Sequence, residues 1–356
     1  VHFTDGMVPG DYLAYIRRKS LWIVAGVLLV ILLFLVSISV GAVAIPLAEV
    51  IQTLSGQNIS HKWDTIIWNI RLPQALTAIV AGAGLAAAGV AMQSILRNPL
   101  GSPFTLGISN AGAFGAAFSV IILGTGQMHS TVADAVTINN PYITTALAFI
   151  FCLLATVVIL FISRIRGASP EVMVLTGVAL SSLFTAGTMF LQYFASDAQL
   201  AAVVFWTFGD VSRANWNELA LMTVIVVAAA IFFIWNRWNY NAIDAGDETA
   251  KGLGVNVERV RMTGMVIGAL VTAVIVAFLG VIGFVGLVCP HMARRVIGDD
   301  QRYLIPASCV GGSILLLASD TAARLIVAPY VLPVAVLTAF MGAPVFIYLI
   351  IRGYRR

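Results

Sequence analysis

The sequence predicts an all-α polytopic membrane protein with about ten transmembrane helices. Of its 356 residues, 60% are hydrophobic and only 10% are charged, and the mean hydropathy is +0.96. The apolar residues also fall in runs long enough to cross a bilayer. An average soluble domain carries about 25% charged residues, and its surface-to-volume ratio leaves most side chains near water. This composition therefore excludes a soluble globule. A net charge of only +4, with the basic residues scattered, also argues against a nucleic-acid partner.

A helix needs about 20 apolar residues to cross the hydrocarbon core. Candidate spans lie near 21–44, 70–94, 104–124, 142–163, 172–194, 217–235, 260–281, 283–293, 303–323 and 332–351. The eighth is too short to cross alone if fully exposed to lipid. The first follows Arg17, Arg18 and Lys19, and Ala42-Val43-Ala44 offers a small-residue cleavage pattern, so a signal peptide competes with an uncleaved helix. The apolar run of about 20 residues exceeds the 7–15 of a signal peptide, which favours the helix.

Ten spans place both termini on one side. That side holds 16 of the 20 lysines and arginines, and the other holds only Lys62, Arg71, Arg213 and Arg324. The positive-inside rule therefore predicts cytoplasmic termini. The chain divides into a cytoplasmic N-terminal segment (1–20), one transmembrane domain (21–352) and a short cytoplasmic tail (353–356).

Charges cluster densely only in the longest cytoplasmic connection, about 236–260. Within it, Asp247-Glu248-Thr249-Ala250-Lys251 predicts a short helix whose acids favour the positive end of the helix dipole. Gly252 and Gly254 then stop it. Such a helix, lying along the membrane face, suits docking a partner; a solvated loop fits the composition equally well.

The sequence has no P-loop motif, and no histidine has a second histidine or a cysteine three or four residues away. It also has no nucleophile elbow and no carboxylate pair within one span. The expectation is a chain without its own catalytic, cofactor or metal site. Cys152, Cys289 and Cys309 sit in separate apolar stretches and read as packed side chains. Asp320 lies near the outer end of the ninth span with Arg324 one turn later, a spacing that allows a local ion pair. Gly82, Gly89, Gly112 and Gly115, and then Gly280, Gly283 and Gly286, predict close helix packing.

Several stretches together resemble one transporter family. Ile70-Arg71-Leu72-Pro73 is followed by Met92-Gln93, Leu96-Arg97-Asn98-Pro99-Leu100 and Leu106-Gly107-Ile108-Ser109. Later come Glu248-Thr249-Ala250 with Leu253-Gly254, and Gly283-Phe284-Val285-Gly286-Leu287-Val288 with Pro290-His291. Leu332-Pro333 and Gly342-Ala343-Pro344-Val345-Phe346 complete the set. In this order, from about residue 21 to 352, they resemble the FecCD family, permease subunits of ABC importers for ferric siderophores, haem and cobalamin.

The resemblance implies a permease in the cytoplasmic (inner) membrane of a prokaryote, dimerising with a second permease chain, most simply an identical one. It also implies two cytoplasmic ATPase subunits, which bind ATP and magnesium, and an extracytoplasmic substrate-binding protein. The halves formed by spans two to five and seven to ten would be inverted repeats, as their opposite starting sides allow. Asp247, Glu248, Thr249, Ala250, Leu253 and Gly254 would form the coupling helix. Arg71 and Arg324 match docking positions for the binding protein, and Gln74 stands where the family often has a second arginine. Ser169, Pro170 and Met173 fall at the expected cytoplasmic gate, with Leu175 beside them. The cargo expected first is a ferric siderophore, with cobalamin, haem and molybdate as alternatives. Outside the family, the competing readings are an ion-coupled secondary transporter, which needs intramembrane acids or unwound helices, and an intramembrane enzyme.

Overall fold

The structure is a computed structural model that describes residues 10–41, 43–57, 60–128, 136–138, 141–327 and 330–353. Residues 1–9 of the expected N-terminal segment, His129, and 354–356 of the expected tail lie outside the described residues.

The chain is helical almost throughout. Helix α1 (Gly10–Ser39) starts well before the apolar run and is followed by the short α2 (Leu47–Leu54). Next, α3 (His61–Ile66) passes through a π-helical turn, Ile67–Arg71, into α4 (Leu72–Ile95). The second span thus runs unbroken from His61 rather than from residue 70. Pro73 has no N–H to give the preceding turn, and the wider turn just upstream takes up that mismatch.

The third span, α5 (Ile108–Ile121), is shorter than expected. A small hairpin follows, β1 (Gly126–Met128) antiparallel to β2 (Val136–Ile138), the one departure from an all-helical reading. Then come α6 (Pro141–Ile165), α7 (Pro170–Tyr193), α8 (Asp197–Thr207) and α9 (Trp216–Trp235). The charged connection forms two helices, α10 (Arg237–Asp244) and α11 (Asp247–Gly252). The last spans are α12 (Val257–Leu279), α13 (Val285–Ile297), α14 (Gln301–Leu325) and α15 (Val334–Gly353). Each of the ten expected spans corresponds to a helix, and seven helical stretches are long and apolar enough to cross a bilayer unaided.

The two halves repeat one pattern. In the first, long α4 is followed by a non-helical return and then α5, of 14 residues. In the second, long α12 is followed by residues 280–284 and then α13, of 13 residues. At 1.5 Å per residue α13 covers about 20 Å, less than the roughly 30 Å hydrocarbon core. The non-helical 280–284 supplies the missing length, and Gly280 and Ile282 are buried within protein, the setting in which such backbone is tolerated at membrane depth. Each short helix also begins against a glycine of the fourth helix of its own half. A Cβ on Gly177 of α7 would lie 2.9 Å from Leu106, and one on Gly342 of α15 would lie 2.9 Å from Phe284.

Helix α4 is the axis of the bundle and is buried nearly end to end. It crosses α14 where Gly82 meets Gly312, and α13 where Gly89 meets Gly286. At both crossings a Cβ would fall inside the facing carbonyl group, so backbones touch and only glycine fits. Gly112 and Gly115 likewise pack α5 against Cys152 and Leu147 of α6, as their spacing predicts. By contrast, α1 and α7 expose most of their apolar surface.

Candidate functional site

One end of the bundle gathers the ends of α4, α12, α13 and α14 around α10 and α11. Three consecutive residues at the end of α4 organise it. Successive helical residues point about 100° apart, so Gln93, Ser94 and Ile95 address different neighbours. Gln93 meets α13: its Nε2 lies 3.3 Å from His291 Nδ1, and its Oε1 accepts from Arg294 Nη1 at 3.1 Å. Ser94 Oγ donates to Asp244 Oδ2 of α10 at 3.1 Å, and Gln301 Nε2 of α14 donates to both at 2.8 Å. The carbonyl of Ile95 accepts from Arg261 Nε at 2.6 Å.

Arg261, on α12, is 3% exposed and uses its whole fork. Besides Ile95, its Nη1 donates to the Ala168 carbonyl at 3.1 Å, and its Nη2 donates to both oxygens of Asp247 at 3.0 Å. One guanidinium therefore joins the end of α4, the turn before α7 and the first residue of α11. A planar five-donor fork suits such a junction, which a point-charge ammonium could not fill. Arg97 stands 4.0 Å from the same Asp247 carboxylate.

Helix α11 forms where the acids and glycines predict it. Asp247 turns inward to Arg261, and Ala250 is fully buried. Glu248, Thr249 and Leu253 face outward; the Glu248 side chain is 89% exposed and Leu253 is 70% exposed. Glu248 pairs with Lys251 of the same helix, at 2.9 Å. Gly254 takes a φ of +83° just past the helix. This helix thus presents an exposed leucine and an exposed carboxylate on its outer side while Asp247 ties it, through Arg261, to α4, α12 and the turn before α7.

The expected gate stands next to this junction. Pro170 opens α7 at its first position, where a missing N–H costs nothing. Ser169 stands at the N-cap position, but its hydroxyl donates to the Glu171 carboxylate instead of capping the backbone. Ala168, whose carbonyl Arg261 holds, has a φ of +55°, uncommon for a residue with a Cβ. Met173 is fully buried within the bundle, whereas Leu175 is 70% exposed on the open face of α7.

At the opposite end the structure brings Arg71, Gln74 and Arg324 together around Asp320. Arg324 pairs with Asp320 at 3.1 Å, the local pair its spacing allows, and Gln74 Nε2 donates to the other carboxylate oxygen at 2.9 Å. Both arginines reach the end of α1. Arg71 donates to the carbonyls of Ile38 (2.6 Å), Ser39 (3.0 Å) and Val43. Arg324 donates to those of Ser37 and Val40, at 3.3 Å each, and to Ser37 Oγ at 2.6 Å. A helix end leaves four carbonyls without partners and carries partial negative charge. The last turn of α1 has no basic residue of its own, so α4 and α14 supply the cations. Arg71 and Gln74 are buried in this chain, and their polar groups already have internal partners.

The sequence reading missed Arg261 as a junction. Its signal was a cation on the same face as Val260, Gly264 and Met265, all buried, rather than on the outer face of its helix. Gln93 and Ser94, polar residues closing an apolar run, were a similar sign.

Two repeated halves around a buried axis, with an exposed helix wired to their ends, define a multi-pass membrane transport permease. The family model described as the FecCD transport family matches residues 28–352, and the chain belongs to that family. A Methanocaldococcus jannaschii protein with the provisional name of an ABC transporter permease is 51% identical over 98% of this chain and 99% of its own. The hemin transport system permease protein of Yersinia pestis is 34% identical over 91% of this chain and 93% of its own. Among solved structures, one reported as an inward-facing conformation of a provisionally assigned metal-chelate type ABC transporter matches with a TM-score of 0.79. It is 28% identical and covers 93% of this chain and 98% of that one.

Proposed function

We propose that this chain is the permease subunit of an ATP-driven importer that moves an iron chelate, a ferric siderophore foremost, across the cytoplasmic (inner) membrane of a prokaryote by alternating access. The observation that carries the reading is the Asp247–Arg261–Ala168 chain of bonds. It runs from a helix with an exposed Glu248 and Leu253 to the turn that opens α7. Two ATPase subunits, holding ATP and magnesium, receive α11 in their grooves. Their closure moves Asp247, and Arg261 transmits the displacement to α4 and to Ser169 and Pro170, shifting α7. Met173 then acts from inside the bundle by positioning α7, and Leu175 lines the path.

The partner chain is a second copy meeting the open face of α7. That face exposes Ser182 and Thr185 among its apolar residues, a mixture better suited to a protein contact or a solute path than to lipid. A substrate-binding protein docks on the opposite face. There the Arg71–Gln74–Arg324 cluster fixes the shape of the surface and the end of α1, and any charge it lends to docking acts through that geometry.

The cargo named for the Yersinia relative and the class named for the solved structure support the iron-chelate reading. The test is uptake of radioactive ferric siderophore into ATP-loaded proteoliposomes holding this chain with its ATPase and binding protein. ATP-dependent uptake is expected. Assembly without iron uptake, but with uptake of cobalamin, haem or molybdate, would reassign the cargo. Failure to associate with an ATPase would overturn the importer.

A further inference from the structure

Two hollows on the outside of the bundle run into each other along α1. The first, about 590 Å³, opens between the start of α1 and the end of α13, and its walls carry Arg18, Lys19, Arg294 and Arg295 against the single carboxylate of Asp299. The second, about 490 Å³, shares Trp22, Val296 and Ile297 with the first. It continues along α1, α13 and α14 past Gly311 with almost wholly apolar walls.

Neither half explains itself. Asp299 is taken by Arg294 at 2.9 Å. Lys19 is only 5% exposed, yet among the described residues its ammonium is recorded only against aromatic rings, 4.2 Å from the centre of Tyr15 and 5.3 Å from that of Tyr303. Its stem is packed away, and its ammonium faces a hollow whose walls are mainly cationic, a setting that favours an anion. The apolar furrow leads from that hollow into the hydrocarbon layer. Trp22 stands at the junction, where an indole sits at headgroup depth.

We propose that this continuous groove binds one anionic phospholipid from the adjoining leaflet. Its phosphate lies among Arg18, Lys19 and Arg295, and one acyl chain follows the furrow past Gly311. Basic pockets between transmembrane helices favour acidic headgroups. A free phosphate would fill only the first hollow and leave the furrow bare. A bound lipid would bridge α1 to α13, two elements that the protein itself joins sparingly at this end. The proposal goes beyond the transport reading and rests only on the chain lying in a membrane.

The test uses the full chain, purified in detergent, delipidated, and titrated with phosphatidylglycerol, with phosphatidylcholine of the same acyl chains, or with glycerol phosphate, read by native mass spectrometry. A one-to-one phosphatidylglycerol adduct about tenfold tighter than phosphatidylcholine is expected, a difference of about 1.4 kcal/mol. Arg18→Gln with Arg295→Gln should erase that preference. Gly311→Leu should weaken both lipids several-fold; a Cβ there meets only Cys289, at 3.8 Å, so the fold has room for it. Equal affinity for the two lipids, or no change in the double variant, would overturn the proposal. Displacement of phosphatidylglycerol by an equal concentration of glycerol phosphate would reduce the site to an anion site and overturn the lipid.

Discussion

Arg261 shows how much one side chain can carry. Lysine at this position keeps the charge but cannot serve three separate acceptors. Hydrogen bonds to charged groups contribute about 1.5–3 kcal/mol each, and their losses do not simply add. Arg261→Lys should therefore lower the melting temperature of the detergent-solubilised chain. It should also cut transport-coupled ATP hydrolysis about tenfold or more while the ATPase still binds; full coupling in that variant would remove Arg261 from the relay. Asp244 makes a second prediction. Burial pushes its carboxyl above the usual carboxylate range, against the hydrogen bonds from Gln301 and Ser94 and the charge of Arg294. Its surface is open toward a cleft, so water tempers the effect. The folded chain thus holds this proton more tightly than the unfolded chain. The resulting stability is complete below about pH 4 and is lost as pH rises through the raised value. Asp244→Asn, which still offers an oxygen to Ser94 and Gln301, should flatten the melting-temperature profile above about pH 4; an unchanged profile would assign the slope to other groups. Asp247 was legible in the sequence because acids favour a helix start. Its partner was not, because Arg261 lies 14 residues on and looked like one more marker of the membrane side.

At the scale of elements, hydropathy located a helix for each of the ten expected spans but misjudged their ends wherever protein surrounds the backbone. The start of α4 is hidden because a π turn lets the helix run through Pro73. The beginnings of α5 and α13 are hidden because buried, non-helical backbone is as apolar as the helix it leads into. The amphipathic α10 and the capped α8 escaped notice because both are too short to register as spans, although Ser196 and Gln199 form a full capping box. The glycine spacings, by contrast, were informative, because contact between backbones admits no other residue. Gly89→Ala should force α4 and α13 apart, since the new methyl would enter the Gly286 carbonyl, at a cost of about 1–3 kcal/mol or more. Gly311→Ala, where a Cβ has ordinary contacts, should be nearly silent. Comparing folded yield and melting temperature of the two tests whether the crossing, rather than glycine loss in general, sets the penalty.

For the molecule as a whole, the clearest signal in the sequence was the division of its charges, and the structure respects it. Arg97, Arg261, Arg294 and Arg302 gather around α10 and α11, while Arg71 and Arg324 close the far end. The proposed pairing of two copies through α7 predicts that Thr185→Cys will cross-link within the membrane. Cys152 and Cys289 are buried, and the half-buried Cys309 is replaced by serine to keep the background low. A chain that cross-links only through positions on another helix would move the interface elsewhere. The two arginines at the end of α1 also bear on how the protein is made. Helix α1 leaves the ribosome well before α14, yet one of the arginines that neutralises its final turn belongs to α14 and is translated nearly 300 residues later. Through most of synthesis that turn has Arg71 but not Arg324, so the carbonyls of Ser37 and Val40 rely on water and lipid headgroups. Helix α1 therefore waits for α14 to complete its end, and a ribosome stalled before α14 would hold a bundle in which α1 is inserted but not yet fully locked.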